Sequence, residues 1–98
     1  MAQKIVWTNK FREDLRRILE FWDQHNQSST YSNRLFREII EVIELIRDNQ
    51  NIGKSTSLVN VRVIVVDKFL IFYKFTDKEI VILTIFDGRR NSLDLKLK

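Results

Sequence analysis

The residues of this sequence best suited to chemistry are cations. Arg62 and Lys74 lie inside apolar runs, and Arg89-Arg90 follows the last of them. Guanidinium groups bind phosphates and carboxylates through paired hydrogen bonds, and need no base to do so. Cutting RNA through its own 2′-hydroxyl asks for more: a group to take that proton, a cation beside the scissile phosphate and an acid for the leaving oxygen. Cations are present; a base is not evident. The single histidine, His25, falls at the far end of an expected first helix, where a protonated imidazole complements the helix dipole without a catalytic role. Asp87, two residues before Arg89, is better placed to orient a turn or pair with a guanidinium. No catalytic residue is assigned, and binding of an anionic partner is the less demanding use of the arginines.

Composition narrows the classes further. The chain has 98 residues and no cysteine, which excludes disulfides and thiolate metal sites, and one histidine excludes a His-rich metal site. No metal and no cofactor is implied. Met1 to Trp7 carries Lys4 within a short apolar stretch, unlike a signal h-region. No apolar run approaches the roughly 18 residues that span a bilayer. A cytoplasmic protein without a membrane partner is expected. The net charge of +4 is uneven, because residues 1–49 hold eight Lys/Arg and eight Asp/Glu while residues 50–98 hold nine and five. The basic second half favours solubility or an acidic partner.

Periodicity supplies the elements that must carry these groups. Ile5-Val6-Trp7 is β-branched and aromatic, and Thr8-Asn9 offers a helix cap before Phe11, Leu15, Ile18, Leu19 and Phe21-Trp22 recur at helical spacing. Trp7, Phe11 and Trp22 are read as core side chains. The polar run from Gln24 to Ser32 ends one helix and caps the next through Ser28, Ser29 or Thr30. Leu35, Phe36, Ile39, Val42, Ile43 and Ile46 form the stripe of a second, more buried helix. Lys54 to Asn60 reads as a polar connection. Three apolar runs follow, Val61–Val66, Phe69–Phe75 and Glu79–Phe86, with connections short enough to make consecutive strands antiparallel neighbours. The pattern predicts one α+β domain over residues 1–98: a short N-terminal strand, a helical hairpin, then three antiparallel strands forming one sheet packed on the helices.

Alternation divides each strand between two faces, and neither face is polar throughout. Two helices cover one side of so small a sheet, so the other is expected to meet a partner or a second copy of the chain. Arg62 and Lys74 are placed on that open side with Ile64, Val66, Leu70 and Phe72, and these four apolar residues are the expected partner-binding face.

The order of these segments resembles the RelE/ParE superfamily, the small toxins of bacterial type II toxin-antitoxin pairs. The opening Ile5-Val6-Trp7-Thr8 with Asp14-Leu15 and Ile18 is similar to the family's first strand and helix, and Asn51-Ile52-Gly53 to its loop after the second helix. Val61-Arg62-Val63, Phe69-Leu70-Ile71-Phe72-Tyr73, Ile80-Val81-Ile82-Leu83 and Asp87-Gly88-Arg89-Arg90-Asn91-Ser92 resemble the ParE-like branch, with Asp87 and Asn91 in its Asp-x-Arg-x-Asn motif. The resemblance implies a growth-inhibiting toxin acting on a target such as DNA gyrase, neutralised by a cognate antitoxin. It also implies two alternatives, a ribosome-dependent messenger-RNA endoribonuclease and a non-toxic binding module. Leu70 stands where the ribonuclease branch tends to carry arginine, and the carboxy-terminal tyrosine of many ribonuclease members is absent.

Overall fold

A computed structural model describes residues 3–89. Its elements are β1 (Lys4–Trp7), α1 (Asn9–Asn26), α2 (Thr30–Asp48), β2 (Lys54–Ser55), β3 (Val61–Val66), β4 (Phe69–Phe75) and β5 (Glu79–Asp87). They build one five-stranded sheet in the order β1-β5-β4-β3-β2. The three long strands pair antiparallel in sequence order, as expected. β1 lies parallel to the first half of β5, with Lys4 opposite Glu79 and Trp7 opposite Ile82. The polar connection after α2 contributes the two-residue β2, which pairs with Arg62 and Val63.

Thr8 explains how β1 turns into α1. Its hydroxyl accepts the Phe11 N–H at 3.0 Å, capping one of the free donors of the first turn. The same oxygen carries a single hydrogen, shared between the carbonyls of Ile82 at 2.9 Å and Leu83 at 3.1 Å. Those carbonyls sit where β5 shifts register: Phe72 faces Thr84 while Tyr73 faces Ile82, leaving Leu83 as an extra residue. One side chain thus starts the helix and fastens it to the irregular point of the sheet. At the other end of α1, Gln27 takes a left-handed conformation and its N–H closes on Asp23 and Gln24. Of the three capping candidates for α2, Ser28 accepts the Thr30 N–H at 3.2 Å, whereas Ser29 makes no side-chain cap.

Both helices lie on one face of the sheet. Phe11 and Leu15 from α1 and Leu35, Ile39, Ile43 and Ile46 from α2 meet Val66, Phe69, Ile71, Tyr73, Ile80, Ile82 and Ile85 in one buried cluster. Trp7 and Trp22 pack partly buried against it. Removing these side chains from water is the main stabilising term, about 1.5–3 kcal/mol for each fully buried one.

The register corrects one expectation. Asp67-Lys68 forms a two-residue connection with Asp67 in the left-handed region, and it sets Val66 opposite Phe69, Ile64 opposite Ile71 and Arg62 opposite Tyr73. Directly opposed residues share a face. Ile64 and Val66 therefore belong to the helix-covered side, and Val63 and Val65 take their places beside Leu70 and Phe72 on the other. Arg62 likewise leaves the face that carries Lys74, since Lys74 is opposite Val61. On the uncovered side Val65 is 62% exposed, while Phe72 is buried edge-on to Phe86.

Candidate binding surfaces at the two ends of the sheet

The candidate cations do not converge. Arg62 lies where β3 begins, opposite Tyr73, and Lys74 follows Tyr73 on β4. Asp87 and Arg89 lie at the other end, because Asp87 pairs with Phe69. Phe69 and Lys74 are five residues apart on one strand, about 17 Å at ~3.3 Å per residue. Arg62 and Lys74 are further separated by the thickness of the sheet. Arg90 and Asn91 lie outside the described residues.

At the first end Arg62 is committed within the fold. Its guanidinium donates to the Gly53 carbonyl at 2.6 Å and approaches that of Asn51 at 3.4 Å. The buried Tyr73 hydroxyl accepts the Gly53 N–H at 2.9 Å and donates to the Gln50 carbonyl at 2.8 Å. Burial pushes the Tyr73 phenol up, with the Gly53 hydrogen bond and the Arg62 charge opposing, so it stays neutral and keeps donating. Arg62 and Tyr73 together clamp the loop after α2, a structural duty that accounts for the arginine without a phosphate.

The other end is richer. Asp87 accepts from the Arg89 backbone N–H at 2.9 Å and from its guanidinium at 3.1 and 2.8 Å, so the carboxylate both orders the turn and aims the arginine. The Arg89 hydrogen bond holds the Asp87 carboxyl below the usual range, against the opposing effect of burial. Such a carboxylate is a poor proton acceptor at neutral pH. Beside it, the Lys68 ammonium lies 4.6 Å from the ring centres of both Trp22 and Tyr31 and donates to the Tyr31 hydroxyl at 2.8 Å. That hydroxyl donates onward to Asp67 at 2.7 Å.

Between α1 and this corner opens a cavity of about 410 Å³. Ile18, Trp22 and Phe69 line it with apolar atoms; Arg17, Asp87 and Arg89 supply charge. Phe21, part of the apolar stripe of α1, also faces the cavity, whereas spacing along the sequence singles out neither Arg17 nor Lys68. A signal existed. Pairing β4 with β5 antiparallel necessarily brings Lys68, just before β4, beside Asp87 and Arg89 at the end of β5.

The Asp87–Arg89 pair predicts an acid-dependent stability. A carboxylate whose folded pKa is depressed stabilises the fold fully above its unfolded value, about 3.9, and that contribution is lost as pH falls through the lower folded value. Wild type should therefore lose melting temperature more steeply than Asp87→Asn below about pH 4. Parallel curves from pH 6 to pH 2 would show that the pair adds nothing.

Residues 5–92 match the family model of the ParE toxin of the type II toxin-antitoxin system, parDE. The chain belongs to that family. No curated protein matches it by sequence. Its fold is similar to a solved structure of the chromosomal ParDE toxin-antitoxin system from P. aeruginosa, with a TM-score of 0.75 and 22% identity over 88% of this chain and 96% of that one. It is also similar to a chain of the E. coli DinJ-YafQ toxin-antitoxin complex, with a TM-score of 0.60 and 13% identity over 97% of this chain and 98% of that one. The structure of YafQ from E. coli strain BL21(DE3) matches at a TM-score of 0.56 and 15% identity, over 87% and 92% of the two chains. These likenesses concern the fold. Among the described residues no helix is long and apolar enough to cross a membrane.

Proposed function

We propose that this chain is the growth-inhibiting toxin of a type II pair, that it acts by binding a cellular target such as DNA gyrase, and that a cognate antitoxin neutralises it. The observation that carries the binding mode over RNA cutting is the separation of the cations. Arg62 is held by backbone carbonyls at one end of the sheet, and Arg89 is aimed by Asp87 at the other. No single phosphate meets both Arg62 and Arg89, and at the Arg89 end, where Arg17 and Lys68 also lie, the neighbouring Asp87 carboxylate is already held by the Arg89 guanidinium. Family membership supports the toxin reading, and solved relatives described as toxin-antitoxin complexes support the antitoxin.

Expression of the chain alone is expected to arrest bacterial growth, and co-expression of the product of the adjoining reading frame to restore it. Arg89→Ala should weaken the arrest while the protein stays folded, its melting temperature at neutral pH lowered only by the lost pair with Asp87. A folded and equally toxic Arg89→Ala protein would remove this arginine from the target surface. Growth unaffected by the wild-type chain, at a level where soluble protein accumulates, would favour the non-toxic binding module.

A further inference from the structure

We infer that the cavity between α1 and the Asp87–Arg89 corner is a docking pocket for an antitoxin segment that presents a large apolar side chain next to a carboxylate. This rests on the toxin-antitoxin reading and adds to it a place and a chemistry. The floor is apolar, from Ile18, Trp22 and Phe69, and its volume of about 410 Å³ accommodates a leucine or an aromatic side chain. Phe21 at the rim is 56% exposed, an unusual position for a large aromatic ring that serves only the core. Apolar anchors in such pockets, ringed by arginine, are where binding energy concentrates.

Charge selects the neighbouring group. Arg17 lies 3.8 Å from Oδ1 of Asp14, beyond hydrogen-bond range, while Lys10 at 3.0 Å and the Thr84 hydroxyl both engage Oδ2. The Arg17 side chain is 70% exposed. Among the described residues its guanidinium makes no closer ion pair, and Arg17 and Arg89 against Asp87 leave the lining with one net positive charge, while Lys68 beside it is balanced by Asp67 at 3.9 Å. A carboxylate beside the anchor would bridge Arg17 and Arg89.

A nucleotide is the less suitable occupant. Bases bind single-strand readers by stacking on open aromatic faces. Here Lys68 and Arg89 lie over the Trp22 ring at 4.6 and 5.8 Å, and His25 is stacked on Phe21 with ring centres 5.6 Å apart and planes 12° from parallel. The apolar space that remains fits a side chain entering end-on.

The test uses the full chain co-purified with the adjoining gene product, with Phe21→Ala and Arg17→Glu variants measured by calorimetry. Both residues are exposed, so the free variants should melt like wild type. Each should bind the partner about tenfold or more weakly. Wild-type affinity in both variants would overturn the pocket while leaving the toxin-antitoxin reading intact. Failure of the wild-type chain to bind the product would overturn both. Two further results would reassign the pocket. A drop of more than a few degrees in the melting temperature of free Phe21→Ala would mean that the chain fills the cavity itself. Binding of a single-stranded oligonucleotide lost in both variants would hand the pocket to nucleic acid.

Discussion

Gly53→Ala is expected to lower the melting temperature by roughly 5–20 °C. Gly53 does not have a positive φ, so the glycine is required by proximity and not by backbone conformation. A Cβ there would stand 2.7 Å from the Val63 carbonyl oxygen, 2.8 Å from the Tyr73 hydroxyl and 3.0 Å from its ring. Neither neighbour can yield easily, since Val63 is held in register between β2 and β4 and Tyr73 is fully buried. Overpacking of this kind costs about 1–3 kcal/mol. If the loop retreats instead, the Tyr73 hydroxyl loses its Gly53 donor and the Gln50 acceptor, at about 1–3 kcal/mol for each buried group left unpaired. The two are alternative routes, so the expected cost is about 1–3 kcal/mol, and each kcal/mol lowers the melting temperature of a domain this size by roughly 4–8 °C. Tyr73→Phe, which keeps the ring and deletes only the hydroxyl, should fall between the variant and wild type. Thermal denaturation followed by circular dichroism decides it. A Gly53→Ala protein melting within a few degrees of wild type would show that the loop after α2 is not clamped.

That clamp also shows what a linear reading can and cannot supply. Local signals were sufficient for Thr8 as a cap, for the stripe of α2 and for the order of the three long strands, because each depends on neighbours in sequence. The faces were a different matter. Alternation separates the residues of one strand into two sets, but which set joins which set of the next strand depends on register. Here the two-residue Asp67-Lys68 connection pairs Val66 with Phe69, and so moves Ile64, Val66 and Arg62 to the helix side. The parallel pairing of β1 with β5 and the two-residue β2 have no local signature, since both arise from where the sheet edges fall after the helices have packed. Arg17 and Phe21 acquire their surroundings only when α1 crosses the end of β5. Their spacing on the helix is the same as that of any solvated cation and any core aromatic.

Primer extension on messages from cells expressing the chain is expected to show no cleavage within translated codons. Losing one donor preorganised toward the charge that grows in the transition state costs about 10² to 10³ in rate. Leu70, at the position where the ribonuclease branch tends to carry arginine, supplies no such donor. The structure also limits what could replace it. Leu70 lies on the uncovered face, opposite Val65 and Phe86. Arg62 is on the other face and bound to the Gly53 carbonyl. Lys74 shares the face with Leu70 but is four residues along β4, about 13 Å away at ~3.3 Å per residue. A Leu70→Arg variant should consequently cut no more message than wild type, because neither Arg62 nor Lys74 can join it at one phosphate. A supercoiling assay with purified gyrase, run in parallel, should show inhibition or accumulated cleaved DNA. Sharp codon-phased cuts by the wild-type chain would instead establish the ribonuclease, and a gain of cutting in Leu70→Arg would mean that the rest of an RNA-cleaving site already stands on the uncovered face.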